Sequence, residues 1–231
     1  MYIIINNKLW RGGFNISISE KIINISENIG DEVKLVAVSK TKPVDAIMEA
    51  YNVGQRDFGE NKVQELRDKI TELPKDIKWH FIGKLQTNKV KYLVDNVELI
   101  HTLSSLKLLN KIEREFAKAN KIANLLIQIN IGREENKNGI LEEELEALIV
   151  AIENCEFVKV KGIMVILPKG DEESNRYYFR KSKIIFDTLK KKNYKNIVMD
   201  TLSMGMSGDY KIAIDEGSNL VRVGSGIFGN R

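Results

Sequence analysis

Residues 33–43 read VKLVAVSKTKP, and this stretch decides the fold. Its apolar half does not alternate with polar residues, which is typical of a strand buried on both faces in a parallel sheet. Pro43 then favours the start of a helix, because its fixed φ angle and missing N–H suit the first helical position. Lys40 is therefore expected at the carboxyl end of a parallel strand, the edge at which α/β folds bind ligands.

The same alternation of strand and helix continues along the chain. After the strand at 33–39, further strands are predicted at 56–59, 78–83, 98–102, 124–131, 158–165, 196–202 and 220–227. Helices or helical turns are predicted at 17–29, 44–52, 62–73, 88–94, 105–119, 142–154, 172–192 and 210–216. The pattern predicts a parallel sheet with right-handed crossovers, and eight units in about 200 residues match a single (β/α)8 TIM barrel with an additional N-terminal helix. An open doubly wound sheet is the alternative, which the lack of a GxGxxG after the first strand disfavours.

The composition narrows the class of protein. Of the 231 residues, 43% are hydrophobic and 29% are charged, as in an ordinary globular protein. The net charge of +4 is spread along the chain, which argues against nucleic acid as a partner. No apolar run approaches the ~20 residues that span a membrane. A single cysteine and two histidines predict neither a disulfide nor a metal site, and they suit the cytoplasm. Residues 1–14 are predicted to be a loosely attached extension, and 15–231 the barrel.

Lys40 has two interpretations at this point. It ends the strand by reaching solvent, or it is an amine held at a partly dry barrel mouth. In the second case, desolvation and the neighbouring Lys42 would favour the neutral, nucleophilic form. Such a lysine can form a Schiff base with a carbonyl compound.

Small residues follow the last two predicted strands, as SMGMSG at 203–208 and GSG at 224–226. Barrels commonly bind phosphate in these two loops, although each segment alone could be an ordinary tight turn. Arg222 lies just before the second loop and should point inward if Val221 and Val223 point outward. A buried guanidinium must pair with a carboxylate, such as Glu60 or Asp200, or hold a ligand.

The two histidines are interpreted as structural. His80 is expected to be a hydrogen-bonded histidine of the core or barrel mouth rather than a catalytic base. His101 has no evident partner in the sequence.

Together these features describe a site for an aldehyde that carries a phosphate, such as pyridoxal 5′-phosphate. The motifs AVSKTKP, FGENKVQE, WHFIGKLQTNK, KGIMVI, SMGMSGDYKIAI and GSNLVRVGSGIFG resemble those of the pyridoxal phosphate homeostasis proteins, also called the proline synthase co-transcribed homologue family. The resemblance implies a barrel like the N-terminal domain of alanine racemase, with the cofactor as a Schiff base on Lys40. It also implies that Arg222 faces the pyridine nitrogen, that Asn61 lies near the ring, and that the phosphate is held by Ser203, Gly205, Gly224 and Ser225.

An arginine at the ring nitrogen discourages the protonated pyridinium that makes this cofactor a strong electron sink. Racemases with this barrel add a second catalytic group from a further domain, for which we expect no room before Arg231. We therefore expect a monomeric carrier that buffers pyridoxal phosphate or delivers it to apo-enzymes, in vitamin B6 and amino-acid balance, without robust catalysis. One alternative is a weak amino-acid racemase or decarboxylase, which a tyrosine or cysteine opposite Lys40 would favour. Another is a phosphosugar aldolase that uses the same lysine.

Overall fold

The computed structural model describes residues 16–230 and, for the backbone only, two short segments before them. These segments are β1 (Ile3–Ile5) and β2 (Lys8–Trp10), which pair antiparallel. The other residues of 1–15 lie outside the described part of the chain. The loosely attached extension at 1–14 therefore stays a prediction.

Eight parallel strands close into a barrel, which confirms the predicted (β/α)8 architecture over the open sheet. The strands are β3 (Lys34–Val38), β4 (Asp57–Glu60), β5 (Lys78–Phe81), β6 (Leu99–Leu103), β7 (Ala123–Ile129), β8 (Val158–Val165), β9 (Ile197–Ser203) and β10 (Leu220–Val223). Each pairs with the next along the chain, and β10 pairs with both β9 and β3. All eight carboxyl ends therefore meet at one mouth, which is where Lys40 follows β3.

Helices connect the strands and cover the outside of the barrel. They are α1 (Ile18–Ile29), α2 (Val44–Asn52), α3 (Val63–Glu72), α4 (Leu106–Lys118), α5 (Leu145–Glu153), α6 (Glu172–Lys190), α7 (Tyr210–Asp215) and α8 (Ser225–Phe228), with 3₁₀ turns at Thr87–Tyr92 and Glu142–Glu144. The predicted N-terminal helix is α1, which begins with a reciprocal cap between Ser17 and Glu20. Among the described helices, none is both long enough and apolar enough to cross a membrane.

Side chains alternate between two apolar layers along each strand. On β10, Val221 and Val223 pack in the layer beneath the helices. Leu220, the residue before Val221, packs inside the barrel with a small cluster made of Val36, Leu99, Leu126 and Met164. Arg222 shares the inward side with Leu220 because the side-chain period of a strand is two. The prediction that Arg222 points inward is thus confirmed.

The last predicted strand, at 220–227, is too long. β10 ends at Val223, and the backbone N–H groups of Ile227 and Phe228 both donate to the carbonyl oxygen of Gly224, as in a helical turn. Both side chains are buried, so they satisfy the apolar pattern of a buried strand while lying on α8. A short apolar run does not distinguish these two structures.

Candidate functional site

A cavity of about 570 Å³ opens at the carboxyl ends of the strands. This volume lies within the ~300–1,000 Å³ of small-molecule sites. Its walls come from the loops after β3, β4, β5, β8, β9 and β10, and the described lining residues with ionisable side chains are Lys40, Lys42 and Arg222. Elsewhere too, the described residues bring together no group of three or more His, Cys, Asp or Glu side chains that could hold a metal ion.

Lys40 lies at the rim of this cavity with its side chain half-buried. Its neighbour Thr41 has a φ of 64°, a left-handed conformation that is an outlier for a β-branched residue. Among residues 16–230, the amine of Lys40 has no hydrogen-bond or ion-pair partner, whereas the amines of Lys42 and Lys69 are both bonded. The strained turn therefore presents an amine that is available for chemistry.

A buried ion cluster holds the backbone on both sides of Lys40. The ammonium of Lys69 on α3 donates to the carbonyl oxygen of Ser39 at 2.8 Å, and to the carboxylates of Glu60 and Glu65 at 2.7 Å each. Ser39 donates its hydroxyl to Glu60 at 2.6 Å, and the N–H of Thr41 donates to Glu65. The chain is thus fixed immediately before and after Lys40.

Glu60 and Lys69 are almost wholly excluded from water, with side-chain exposures of 0% and 7%. Burial raises the pKa of Glu60, although the hydrogen bonds from Lys69 and Ser39 oppose this rise. A buried ion pair of this kind is tolerated when further hydrogen bonds satisfy the two ions. Sequence reasoning missed Lys69, because its partners lie on a strand and a helix that only the fold brings together.

Lys42 serves a different purpose from Lys40. Its amine donates to the carbonyl oxygens of Phe228, Gly229 and Asn230 at 3.1, 3.2 and 3.1 Å. These are the carbonyls at the end of α8, where a cation is favourable. Lys42 therefore ties the C-terminal segment across the edge of the cavity.

Arg222 forms part of the cavity floor and is 4% exposed. It donates one N–H to the hydroxyl of Ser203, and another to the carbonyl oxygen of Val165 at 2.9 Å. Burial lowers the pKa of Arg222 to about 10, so the guanidinium is charged at neutral pH. It bonds no carboxylate among the described residues.

The two carboxylates proposed from the sequence as partners of Arg222 are engaged elsewhere. Glu60 bonds Lys69 and Ser39, and Asp200 accepts from the hydroxyl of Thr201 at 2.8 Å. Of the two interpretations of Arg222, the pairing with a carboxylate is therefore not observed among the described residues. The other interpretation, a guanidinium that holds a ligand, stays open.

The glycine- and serine-rich loops after β9 and β10 form one wall of the cavity. Ser207 links them, because its hydroxyl accepts from the N–H groups of Gly224 and Gly226 at 3.1 Å each. Gly224, Ser225 and Ser207 all line the cavity. Sequence reasoning singled out this stretch but not Ser207 within it.

Ser203 and Gly205 do not line the cavity, although the sequence predicted that both contact phosphate. Ser203 is the last residue of β9 and lies fully buried below the mouth, where it accepts from Arg222. Gly205 has a φ of 93°, and a Cβ there would lie 2.6 Å from the Cβ of Ala213. Its small size lets α7 pack against the loop.

Asn61 follows β4 and lines the cavity, as the sequence predicted for a residue near a bound ring. Its side-chain oxygen Oδ1 is buried and has no hydrogen-bond partner within the described part of the chain. Gly83 holds the loop after β5 against Asn61, since a Cβ at Gly83 would lie 2.0 Å from the Asn61 carbonyl oxygen. A buried acceptor without a partner indicates a place for a ligand donor or an ordered water.

Both histidines lie inside the barrel beneath the cavity. His80 is 1% exposed and His101 is 0% exposed, and their rings bond each other through Nδ1 of His80 and Nε2 of His101 at 2.9 Å. The interpretation of both as core residues is confirmed. The partner that the sequence did not reveal for His101 is His80.

The fold and the lysine-bearing cavity define a barrel of the alanine racemase N-terminal type. The family model described as "Alanine racemase, N-terminal domain" matches residues 17–231. A pyridoxal phosphate homeostasis protein of Aquifex aeolicus (strain VF5) is 44% identical over 200 residues, which cover 86% of this chain and 87% of the relative. Its counterpart in Synechocystis sp. is 38% identical over 221 residues, 94% of this chain and 99% of the relative. The chain belongs to the pyridoxal phosphate homeostasis protein family.

Solved structures agree with this assignment. PipY of Synechococcus elongatus PCC7942, solved with pyridoxal phosphate bound, has a TM-score of 0.84 and 33% identity, and the match covers 92% of this chain and all of that one. Alanine racemase from Streptomyces coelicolor A3(2) has a TM-score of 0.73 at 15% identity, over 93% of this chain and 58% of that one. The latter likeness shows the fold alone.

Proposed function

We propose that this protein binds pyridoxal 5′-phosphate in the cavity at the barrel mouth and carries it as a Schiff base on Lys40. The observation that carries the proposal is the pairing of an unbonded lysine amine at the rim with a buried guanidinium on the floor of the same cavity. The Schiff base would join Nζ of Lys40 to the aldehyde carbon, with the aldehyde oxygen leaving as water. The bound cofactor of the PipY relative supports this choice of ligand.

The other lining residues fit the remaining parts of the cofactor. Arg222 has N–H groups beyond the two already bonded, and these can donate to a pyridine nitrogen, which is an acceptor. The buried Oδ1 of Asn61 can accept from a ligand near the ring. We assign the phosphate to the wall formed by Gly224, Ser225 and Ser207 rather than to Ser203 and Gly205, which do not reach the cavity.

Titration of the purified protein with pyridoxal phosphate tests this assignment through the visible absorbance of the Schiff base. Wild type should develop the band with saturation, and Lys40→Ala should not. Lys84→Ala is the matched control, because Lys84 is an exposed lysine of the neighbouring loop that does not line the cavity. A band that survives in Lys40→Ala, or one lost equally in Lys84→Ala, would contradict the proposal.

We further propose that the protein is a carrier rather than an efficient racemase or decarboxylase. When bound, pyridoxal phosphate supplies an electron sink for carbanion chemistry, and a permanently charged arginine at the ring nitrogen weakens that sink. The ionisable side chains that the described chain brings to the cavity are all basic, and Lys42 is occupied by three carbonyl groups. A positioned acid or base opposite Lys40 would have to come from elsewhere.

Carbanion formation can be measured, without assuming a product, as exchange of the α-hydrogen of L-alanine in D₂O followed by NMR. We expect exchange far slower than the turnover of ordinary enzymes, about 1–10³ s⁻¹. Exchange within that range that disappears in Lys40→Ala would establish the racemase instead. The aldolase alternative predicts reductive trapping of Lys40 by a sugar phosphate, with no cofactor band.

The carrier is proposed to act as a monomer in the cytoplasm and to pass its cofactor to apo-enzymes. Light scattering of the loaded protein tests the first point, and a dimer mass would contradict it. Activation of an apo-enzyme by the loaded carrier, faster than by the same concentration of free cofactor, tests the second. Equal rates would show release into solution rather than delivery.

A further inference from the structure

A line of buried polar side chains runs through the barrel, from the cavity floor toward its amino-terminal end. Arg222 bonds the hydroxyl of Ser203, and that hydroxyl lies 3.2 Å from Nδ1 of His101. Nε2 of His101 lies 2.9 Å from Nδ1 of His80, and Nε2 of His80 lies 2.9 Å from a carboxylate oxygen of Asp57. The five side chains come from five different strands of the barrel, β4, β5, β6, β9 and β10. We call it the Arg222–Asp57 chain.

The two ends of the chain fix the direction of its hydrogen bonds. A guanidinium can only donate, so the Ser203 oxygen accepts from Arg222. An ionised carboxylate can only accept, so Nε2 of His80 must carry a hydrogen and donate to Asp57. Burial alone would raise the pKa of Asp57, but its hydrogen bond with His80 and the charges of Lys34 and Lys78 lower it overall. Asp57 is therefore ionised at neutral pH.

The middle of the chain follows from the same donor and acceptor rules. Burial, together with the charges of Arg222 and Lys34, lowers the pKa of His101 well below its usual value, so the ring is neutral and has one N–H. If that hydrogen were on Nδ1, the Ser203 hydroxyl would have no acceptor among its described contacts. With the hydrogen on Nε2, Ser203 donates to His101 and His101 donates to His80, so the Ser203 hydroxyl and all four ring nitrogens have partners.

We propose that Ser203, His101, His80 and Asp57 are positioning residues for Arg222, joined by hydrogen bonds that all donate toward Asp57. The chain connects a buried cation, which has no carboxylate contact, to a carboxylate at the opposite end of the barrel. Each bond polarises the next, so the Ser203 oxygen becomes a stronger acceptor and holds one edge of the guanidinium. The remaining N–H groups of Arg222 are thereby directed toward the cavity.

The far end of the chain is accessible from outside the barrel. Asp57 lines a second cavity of about 560 Å³ at the amino-terminal end, together with Lys34 and Arg56. Lys34 lies 3.6 Å from the Asp57 carboxylate, and Asp57 has a side-chain exposure of 16%. A change of charge at this end therefore acts on Arg222 through the chain. This consequence for cofactor binding rests on the proposed function, whereas the direction of the chain does not.

The direction can be read in the cofactor-free protein from the ring nitrogens of ¹⁵N-labelled histidine. The whole protein has only two histidines, so these two rings account for every histidine signal of an untagged protein. We expect the hydrogen of each ring on Nε2, with Nδ1 of each ring left as an acceptor. A hydrogen on Nδ1 of either ring, or a charged ring, would overturn the proposed direction whether or not the protein binds pyridoxal phosphate.

Ser203→Ala and Ser203→Thr test whether the chain positions Arg222. The alanine variant removes both hydrogen bonds of the hydroxyl, so the Nδ1 signal of His101 should shift and cofactor binding should weaken roughly tenfold, as expected for one charged hydrogen bond. The threonine variant keeps the hydroxyl and should restore both readouts. Asp57→Asn, at the far end, should also weaken binding while leaving the cofactor band on Lys40.

The outcomes separate this inference from the proposed function. If both rings carry their hydrogen on Nε2 but wild type develops no cofactor band, the direction of the Arg222–Asp57 chain is supported and the cofactor site is refuted. A cofactor band with unchanged affinity in both Ser203→Ala and Asp57→Asn would keep the site and refute the positioning role. If the alanine variant fails to fold, the affinity of Asp57→Asn and the wild-type tautomers decide.

Discussion

Replacing Lys69 with methionine leaves two carboxylates, Glu60 and Glu65, without the ammonium that bonds both of them. Glu60 is wholly buried, and one of its oxygens already lacks a hydrogen-bond partner among residues 16–230. Breaking a buried ion pair by removing one partner typically costs about 3–5 kcal/mol. For a chain of this length, such a loss lowers the midpoint of thermal unfolding by roughly 6–20 °C.

Urea unfolding followed by circular dichroism measures the change, with Lys121→Met as the matched control. Lys121 pairs with Asp95 at 2.6 Å, but the side chains are 50% and 68% exposed, so its loss should cost less than about 1 kcal/mol. The double variant Lys69→Met/Glu60→Gln should recover much of the lost stability, because it removes the uncompensated charge. Equal losses in Lys69→Met and Lys121→Met would refute the view that the cluster around Lys40 is a buried ion pair.

The loss of stability in Lys69→Met should also depend on pH. Removing the cation raises the pKa of Glu60 further above its unfolded value, so the folded state binds the proton more tightly. The penalty is then present at neutral pH and fades as pH falls toward the ordinary carboxyl range, where Glu60 is protonated in both states. A penalty that stays constant between neutral and acidic pH would contradict this account.

Three further predictions follow from single residues. Gly205→Ala should cost about 2 kcal/mol or more in urea unfolding, since its Cβ would lie 2.6 Å from that of Ala213 at a φ of 93°; a neutral effect would contradict the observed packing. Thr41→Gly should leave the free energy of unfolding unchanged or raise it by about 1 kcal/mol, because it removes the backbone strain of a threonine in the left-handed region. The same variant should bind the cofactor more weakly in a titration, and tighter binding would show that the strained turn does not position Lys40. Asp57→Asn should be less stable than wild type at neutral pH, and the difference in free energy of unfolding should shrink as pH falls through the lowered pKa of Asp57. A difference that grows in acid would contradict a stabilising bond between ionised Asp57 and His80.

The barrel could be predicted from the sequence because the pattern that defines it is local. Buried parallel strands are apolar throughout, and each is followed by a helix with its own period, so strand order and the position of Lys40 follow from the chain. The end of β10 could not be placed this way. Ile227 and Phe228 are buried on α8, and their apolar character is the same as that of a strand.

The site was predictable where alternation along a strand decides which way a side chain points. Arg222 faces inward for this reason, and Lys40 reaches the mouth because it comes two residues after Val38, where β3 ends. Ser203 was misplaced because it is still within β9, below the level at which the mouth opens. Ser207, four residues later, is the serine of that loop that lines the cavity.

The features that sequence reasoning missed are contacts between distant segments. His80 and His101 each occupy the third position of adjacent strands, and pairing of those strands brings their rings together. Lys69 reaches Ser39 and Glu60 from a helix on the outside of the barrel. No periodicity within one segment encodes a bond between two segments.

The most direct test of the proposed Schiff base on Lys40 is to reduce the cofactor-loaded protein with borohydride and identify the modified residue by peptide mass spectrometry. Reduction converts a Schiff base into a stable secondary amine, so the attachment site survives digestion. We expect a pyridoxyl group on the peptide that contains Lys40. This adduct should be absent from Lys40→Ala and present in Lys84→Ala. A stoichiometric adduct on any other lysine, with Lys40 unmodified, would contradict the account.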